Sequence, residues 1–73
     1  MPRKIRELKR DLRHAGFASR PGKGSHTFWR HPLLPAIKLT ISGHDGDDAP
    51  QYQEEQVRGA LEALRAIRGD SDE

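Results

Sequence analysis

The sequence has no cysteine and no long run of apolar residues. The first absence excludes a disulfide framework and a zinc site built from thiolates. The second excludes a transmembrane helix, which needs about 20 mostly apolar residues. The opening stretch MPRKIRELKR also lacks the apolar segment of a signal peptide. We therefore expect a soluble, cytoplasmic protein that makes no membrane contact.

Apolar and aromatic residues are scarce, at 33% and 5% of the 73 residues. A chain this short forms one domain, and its core depends on a few well-placed side chains. We expect residues 1–73 to be a single domain in which residues 70–73 form a disordered tail.

Charge is divided unevenly along the chain, although the net charge is only +2. Residues 1–31 contain nine Lys or Arg against two acids, whereas residues 32–73 contain four against nine. A basic half attracts polyanions such as nucleic acids by an interaction that carries no sequence information. The alternative is that these charges only solvate the surface of a small protein.

Two segments have the periodicity of amphipathic helices. In the first, Pro2 suits the opening turn and Gly16 suits the left-handed position after the last turn. Its apolar face is formed by Ile5, Leu8, Leu12 and Ala15. The second begins near Pro50 and ends before Gly69. Its apolar stripe is formed by Val57, Ala60, Leu61, Leu64 and Ile67.

Three strands are predicted between these helices. FASRP and SHTFWRHP flank a GKG turn and are typical of a β-hairpin. AIKLTISG alternates apolar and polar residues, with Ile37, Leu39 and Ile41 on one side. The predicted fold is α+β, in the order α-β-β-β-α, with three antiparallel strands and both helices on one face. The other face of the sheet stays open.

Alternation along the second strand separates its side chains into two sets. We expect Thr27 and the large Trp29 to face the core, which leaves His26, Phe28 and Arg30 on the open face. Histidine exchanges protons near neutral pH, and neighbouring cations stabilise the charge of a phosphate. These groups suit cleavage of RNA by its own 2′-hydroxyl, with His26 moving the proton and no metal required. Alternatively, His26 is a surface histidine with no chemical role.

Several short motifs resemble the HicA family of toxins from bacterial toxin–antitoxin systems. They are the GF that ends the first helix, an Arg at position 20, the run GKGSH at residues 22–26, and RHP at residues 30–32 after an aromatic. The similarity covers nearly the whole chain. Two segments depart from the pattern of many members of the family. They are LLPAI, which follows the HP pair, and the acidic loop HDGDD.

The resemblance implies a fold like that of double-stranded-RNA-binding domains, cleavage of mRNA that inhibits translation, and an essential histidine at His26. It also implies neutralisation by a HicB-type antitoxin. The predicted RNA-binding residues are Arg20, Lys23, Gly24, Ser25 and Arg30. The predicted antitoxin-binding residues are His26, Phe28 and Arg30.

Other polar residues have simpler interpretations. The four histidines do not have the spacing of a zinc site, and we expect neither a metal nor a cofactor. His14 suits a helix C-terminus, and His31 suits a strand end where it bonds the backbone. The acids of HDGDD do not complete a calcium loop, so we interpret them as a solvated loop. Two further roles of these acids stay open: they could pair with a basic surface of a partner, or they could steer RNA toward the opposite end of the molecule.

Two other classes of protein are compatible with the sequence. A non-catalytic RNA-binding module commonly presents Lys and Arg at the start of its last helix, where this chain has Glu54 and Glu55. A structural or adaptor domain would have no nuclease activity and little salt-dependent affinity for RNA.

Overall fold

Both helices pack against one face of a three-stranded antiparallel sheet in the computed structural model, which describes residues 2–69. The elements are α1 (Ile5–His14), β1 (Ala18–Pro21), β2 (Thr27–Arg30), β3 (Leu39–Ile41) and α2 (Gln51–Arg68). The strand order is β1-β2-β3. The predicted α+β fold is therefore confirmed, whereas the predicted tail at 70–73 lies outside the described residues.

Helix α1 begins three residues later than Pro2 suggested. Lys4 is extended, with φ −85° and ψ 151°, and forms an isolated bridge with Asp48. The first helical N–H groups are instead satisfied from the acidic loop: Ile5 donates to the Asp47 carbonyl at 2.9 Å and Arg6 to the Asp45 carbonyl at 3.2 Å. The first N–H groups of a helix have no hydrogen-bond acceptor within the helix itself. The loop between β3 and α2 therefore caps α1, and Pro2 lies outside the helix.

Helix α2 begins after Pro50 and ends before Gly69, as predicted, and Gly69 has a left-handed φ of 69°. Val57, Ala60 and Leu64 are buried, but Ile67 is 54% exposed. The stripe was therefore predicted one turn too long, because residues 65–69 extend beyond the core and are all exposed. Among residues 2–69, neither helix is both long and apolar enough to cross a membrane.

The sheet has the side-chain alternation expected from the sequence. Trp29 pairs with Leu39, and Thr27 pairs with Ile41. Trp29, Leu39 and Ile41 are buried in the same cluster as the apolar faces of both helices. The Trp29 indole Nε1 donates to Thr27 Oγ1 at 2.9 Å, which satisfies its polar atom inside the core. The inward placement of Trp29 and Thr27 is thus confirmed.

The second strand is shorter than predicted. β2 starts at Thr27, so Ser25 and His26 belong to the turn that joins it to β1. Backbone bonds close this turn: Gly22 donates to the His26 carbonyl at 2.8 Å, and His26 donates to the Lys23 carbonyl at 3.0 Å. Gly24 at φ 58° takes the left-handed conformation that the reversal requires.

Candidate nucleic-acid interface

His26 closes the hairpin turn and lines a cleft. Its backbone is fixed at the base of the turn, while the residue is exposed. The cleft lies between the turn, α1 and the loop that follows β3, so a group bound there is within reach of the imidazole. The depression on the open sheet face is lined by Phe28 and Arg30 but not by His26. The structure therefore does not bring the predicted group of His26, Phe28 and Arg30 together in one depression.

The open face combines an aromatic ring with two cations. Arg20 pairs directly with Phe28 across β1 and β2, and Arg30 pairs with Ala18. Arg20, Phe28 and Arg30 line one shallow depression on this face. Both arginines are exposed, and Phe28 is half-buried. The depression therefore offers a flat ring between two positive charges.

Gly22 supports the ring of Phe28. A β-carbon at position 22 would lie 2.7 Å from Phe28 Cε2 and 3.4 Å from His26 Cβ. Only a residue without a side chain lets the turn come this close to the ring. Phe28 and His26 therefore both lie close to Gly22.

The cleft lined by His26 is open and has a volume of about 360 Å³. Besides His26 and Ser25 it is lined by Lys9, His44 and Asp45, together with Pro21, Gly24, Thr27 and Gly43. Gly43 N–H donates to Ser25 Oγ at 3.1 Å. Ser25 therefore links the hairpin turn to the β3 end. Ser25 was predicted to bind RNA, and this structural contact was not part of that prediction.

The acidic loop is bound to α1 by ion pairs. Lys9 Nζ lies 2.8 Å from Asp45 Oδ1, and Lys4 Nζ lies 2.6 Å from Asp48 Oδ1. The hydrogen bond from Lys9 lowers the pKa of Asp45, with the charge of Lys9 acting in the same direction. The opposite charges of the two halves of the sequence thus partly neutralise each other within the molecule, and the interpretation as a merely solvated loop was incomplete.

The His31 side chain is buried and has a structural role, as predicted. Leu33 N–H donates to its Nδ1 at 3.0 Å, and Nε2 lies 3.2 Å from the Ala15 carbonyl at the end of α1. Because Nδ1 accepts, the neutral ring carries its hydrogen on Nε2 and donates it to that carbonyl. Phe17 packs edge-on against the ring at 5.1 Å. The GF and HP motifs are therefore parts of one buried contact.

The remaining predicted residues are placed as follows. Lys23 and Gly24 lie at the tip of the turn, and His14 is in the last turn of α1. In residues 2–69, no group of three or more His, Cys, Asp or Glu is arranged to hold a metal ion. Sequence reasoning missed Lys9 and His44 as neighbours of His26. Their separation along the chain carries no local signal, since the turn and the β3 end meet only in the tertiary structure.

Fold and site together define a small α+β protein with an exposed histidine beside a cationic sheet face. A family model described as the HicA toxin of bacterial toxin–antitoxin systems matches residues 5–66. The chain belongs to this toxin family, so its role is that of a toxin that is paired with an antitoxin. The comparison with curated proteins found no match, and neither did the comparison with solved structures.

Proposed function

We propose that this toxin is an endoribonuclease that cleaves mRNA without a metal ion and thereby inhibits translation. The observation that carries the proposal is the position of His26, exposed in a cleft at the turn between the two strands that carry Arg20 and Arg30. Membership of the HicA toxin family supports the same activity.

The reaction begins with attack of an RNA 2′-hydroxyl on the adjacent phosphorus. His26 accepts the proton of that hydroxyl, which makes the oxygen a better nucleophile. Arg20, Lys23 and Arg30 supply positive charge for the phosphate as its own negative charge increases. The nucleophile belongs to the substrate, so the protein needs only a proton carrier and cations, which suits the open cleft at His26.

The open face suits a single strand. The Phe28 ring can stack with one base, and the flanking Arg20 and Arg30 can contact the phosphates on either side. At Gly24 a β-carbon would meet no atom within 4 Å, so the tip of the turn is open to close approach of a sugar–phosphate backbone. Ser25 lies beside this path while its Oγ accepts from Gly43.

We further propose that the antitoxin is of the HicB type and covers His26, Phe28 and Arg30. A half-buried aromatic between arginines is a typical anchor for a protein partner, and covering it also blocks the site. The double variant F28A/H26E should lose affinity for the antitoxin by at least tenfold in calorimetry. Wild-type affinity in this variant would place the antitoxin elsewhere.

The nuclease proposal is tested with wild type and His26→Ala in EDTA, on a single-stranded RNA and on DNA of the same sequence. The matched control is His14→Ala, another exposed histidine. Circular dichroism verifies that all three proteins are folded. We expect wild type and His14→Ala to leave 2′,3′-cyclic phosphate ends on RNA, and His26→Ala to be at least 100-fold slower. DNA, without a 2′-hydroxyl, should stay intact.

Equal cleavage by wild type and His26→Ala would remove His26 from the mechanism. Binding of RNA by the wild type with no cleavage would instead make the protein a non-catalytic RNA-binding module.

A further inference from the structure

We propose that His44 is a second catalytic residue of this site, the acid that protonates the 5′-oxygen of the leaving nucleoside. The inference rests on the proposed ribonuclease function and extends it. Transfer of the phosphate to the 2′-oxygen needs a base at the nucleophile and is accelerated by an acid at the leaving group. His26 can serve one of these positions at a time, so a second proton carrier is chemically useful.

The tertiary structure brings His44 to the cleft of His26. The residues that precede them, Ser25 and Gly43, are joined by a 3.1 Å hydrogen bond between Oγ and N–H. His26 and His44 therefore each directly follow a residue of the contact between the hairpin turn and the β3 end. Both line the same open cleft of about 360 Å³, which is large enough for a phosphate and part of a ribose.

Asp47 positions His44. Its Oδ2 accepts the His44 backbone N–H at 3.0 Å and lies 3.7 Å from the imidazole Nδ1. A carboxylate on the Nδ1 side leaves Nε2 as the ring nitrogen for a substrate. The His44 side chain is 86% exposed, so a bound RNA can reach it without any rearrangement of the core.

The two histidines have different charged neighbours. The carboxylate of Asp47 lies beside His44, 3.7 Å from its Nδ1. Asp45 also lines the cleft, but its charge is paired with Lys9 at 2.8 Å, which limits repulsion of the RNA phosphate. His26 instead closes the turn whose tip carries the cationic Lys23.

The proposed step balances in atoms and protons. The bond from the 2′-oxygen to phosphorus forms, the bond from phosphorus to the 5′-oxygen breaks, and the products are a 2′,3′-cyclic phosphate and a 5′-hydroxyl. The 2′-hydroxyl proton goes to His26, and the His44 proton goes to the departing 5′-oxygen. Exchange with water then restores both histidines.

The test compares two substrates that differ in their need for an acid. Single-stranded RNA releases a strongly basic 5′-alkoxide, whereas uridine 3′-(4-nitrophenyl phosphate) releases a phenolate that leaves without protonation. The variants are His44→Ala and His44→Gln, with His14→Ala as the exposed control and His26→Ala as the base-deficient comparison. For both His44 variants we expect kcat on RNA to fall about 100-fold, with KM within twofold and activity on the nitrophenyl ester within threefold of wild type.

Each of the other outcomes identifies which part of the proposal is wrong. Undiminished RNA cleavage by the His44 variants, with His26→Ala inactive, would refute the role of His44 and leave the ribonuclease function standing. Equal losses on both substrates would show that His44 acts through structure, which refutes the acid role. Full activity of His26→Ala, or no RNA cleavage by wild type, would refute the ribonuclease mechanism and the role of His44 with it.

Discussion

Lys9 of α1 and Asp45 of the loop after β3 form an ion pair, with 2.8 Å between Nζ and Oδ1. The same loop supplies the carbonyls that cap Ile5 and Arg6. One side of the cleft beside His26 is therefore held by contacts between residues that are 36 positions apart in the sequence.

Lys9→Met should loosen this loop while keeping the aliphatic stem of the side chain. Without its partner, Asp45 no longer holds the loop carbonyls over the start of α1. We expect faster hydrogen exchange at the amides of Ile5 and Arg6, measured by NMR, and a lower urea midpoint. Arg58→Met, an exposed change on α2, is the control. Unchanged exchange at both amides would mean that the backbone contacts alone fix the loop.

Acid should weaken the folded state partly through Asp45 and Glu7. Lys9 lowers the pKa of Asp45, and a hydrogen bond from the Lys4 backbone N–H lowers that of Glu7. Both groups bind protons less readily when folded, so their stabilisation is fully present above the ordinary carboxyl values of 3.8 and 4.5. It is lost as the pH falls through the lowered values.

Urea unfolding at a series of pH values below 5 checks this sign. Asp45→Asn should be less stable than wild type at neutral pH and should lose less stability on acidification. If the free energy of unfolding of Asp45→Asn changes with pH in parallel with that of wild type, Asp45 does not contribute to the acid sensitivity.

His31→Ala should be strongly destabilising although it changes none of the proposed catalytic groups. It removes the acceptor of Leu33 N–H and one of the two side-chain donors to the Ala15 carbonyl, the other being Arg68, and it leaves a gap beside Phe17. Loss of buried hydrogen bonds and packing costs about 2–4 kcal/mol in the free energy of unfolding. The exposed His14→Ala should stay within about 0.5 kcal/mol. Urea titrations of both variants make the comparison, and equal stabilities would exclude a structural role for His31.

Trp29 and Thr27 should be energetically coupled. Trp29→Phe loses the indole N–H, while Thr27→Val leaves that N–H without its acceptor inside the core. We expect Thr27→Val to cost about 1–3 kcal/mol in the wild-type background and much less in the Trp29→Phe background. Circular dichroism must follow unfolding, because Trp29 is the single tryptophan. Additive costs in the double-mutant cycle would argue against this bond.

The arginines of the open face should set the salt dependence of RNA binding. In the His26→Ala background, which prevents cleavage, Arg30→Met should weaken binding and reduce the slope of log K against log salt concentration by about 0.7. Arg58→Met on α2 should leave the slope unchanged. Fluorescence anisotropy with a labelled single strand measures both, and identical slopes would place the RNA on another surface.

Much of this protein is determined by local pattern. The spacing of Ile5, Leu8 and Leu12 and the alternation around Trp29 depend only on helix and strand periodicity, so both were predicted correctly. The GKGSH run also located His26 next to a turn. Pro2 and Ile67 were misplaced because the start of α1 depends on a bridge between Lys4 and Asp48, and the buried length of α2 depends on where the sheet ends.

The composition of the candidate site was decided by tertiary structure alone. Lys9, Ser25 and His44 meet because the turn, α1 and the β3 end converge, and no local pattern records a contact across such distances in the chain. The sequence by itself determined the elements and the inward face of the sheet and indicated His26 as the proposed catalytic histidine, since these follow from short-range periodicity and residue chemistry. Only the packed structure determined which distant charges neutralise each other and which second histidine shares the cleft, since both depend on long-range contacts.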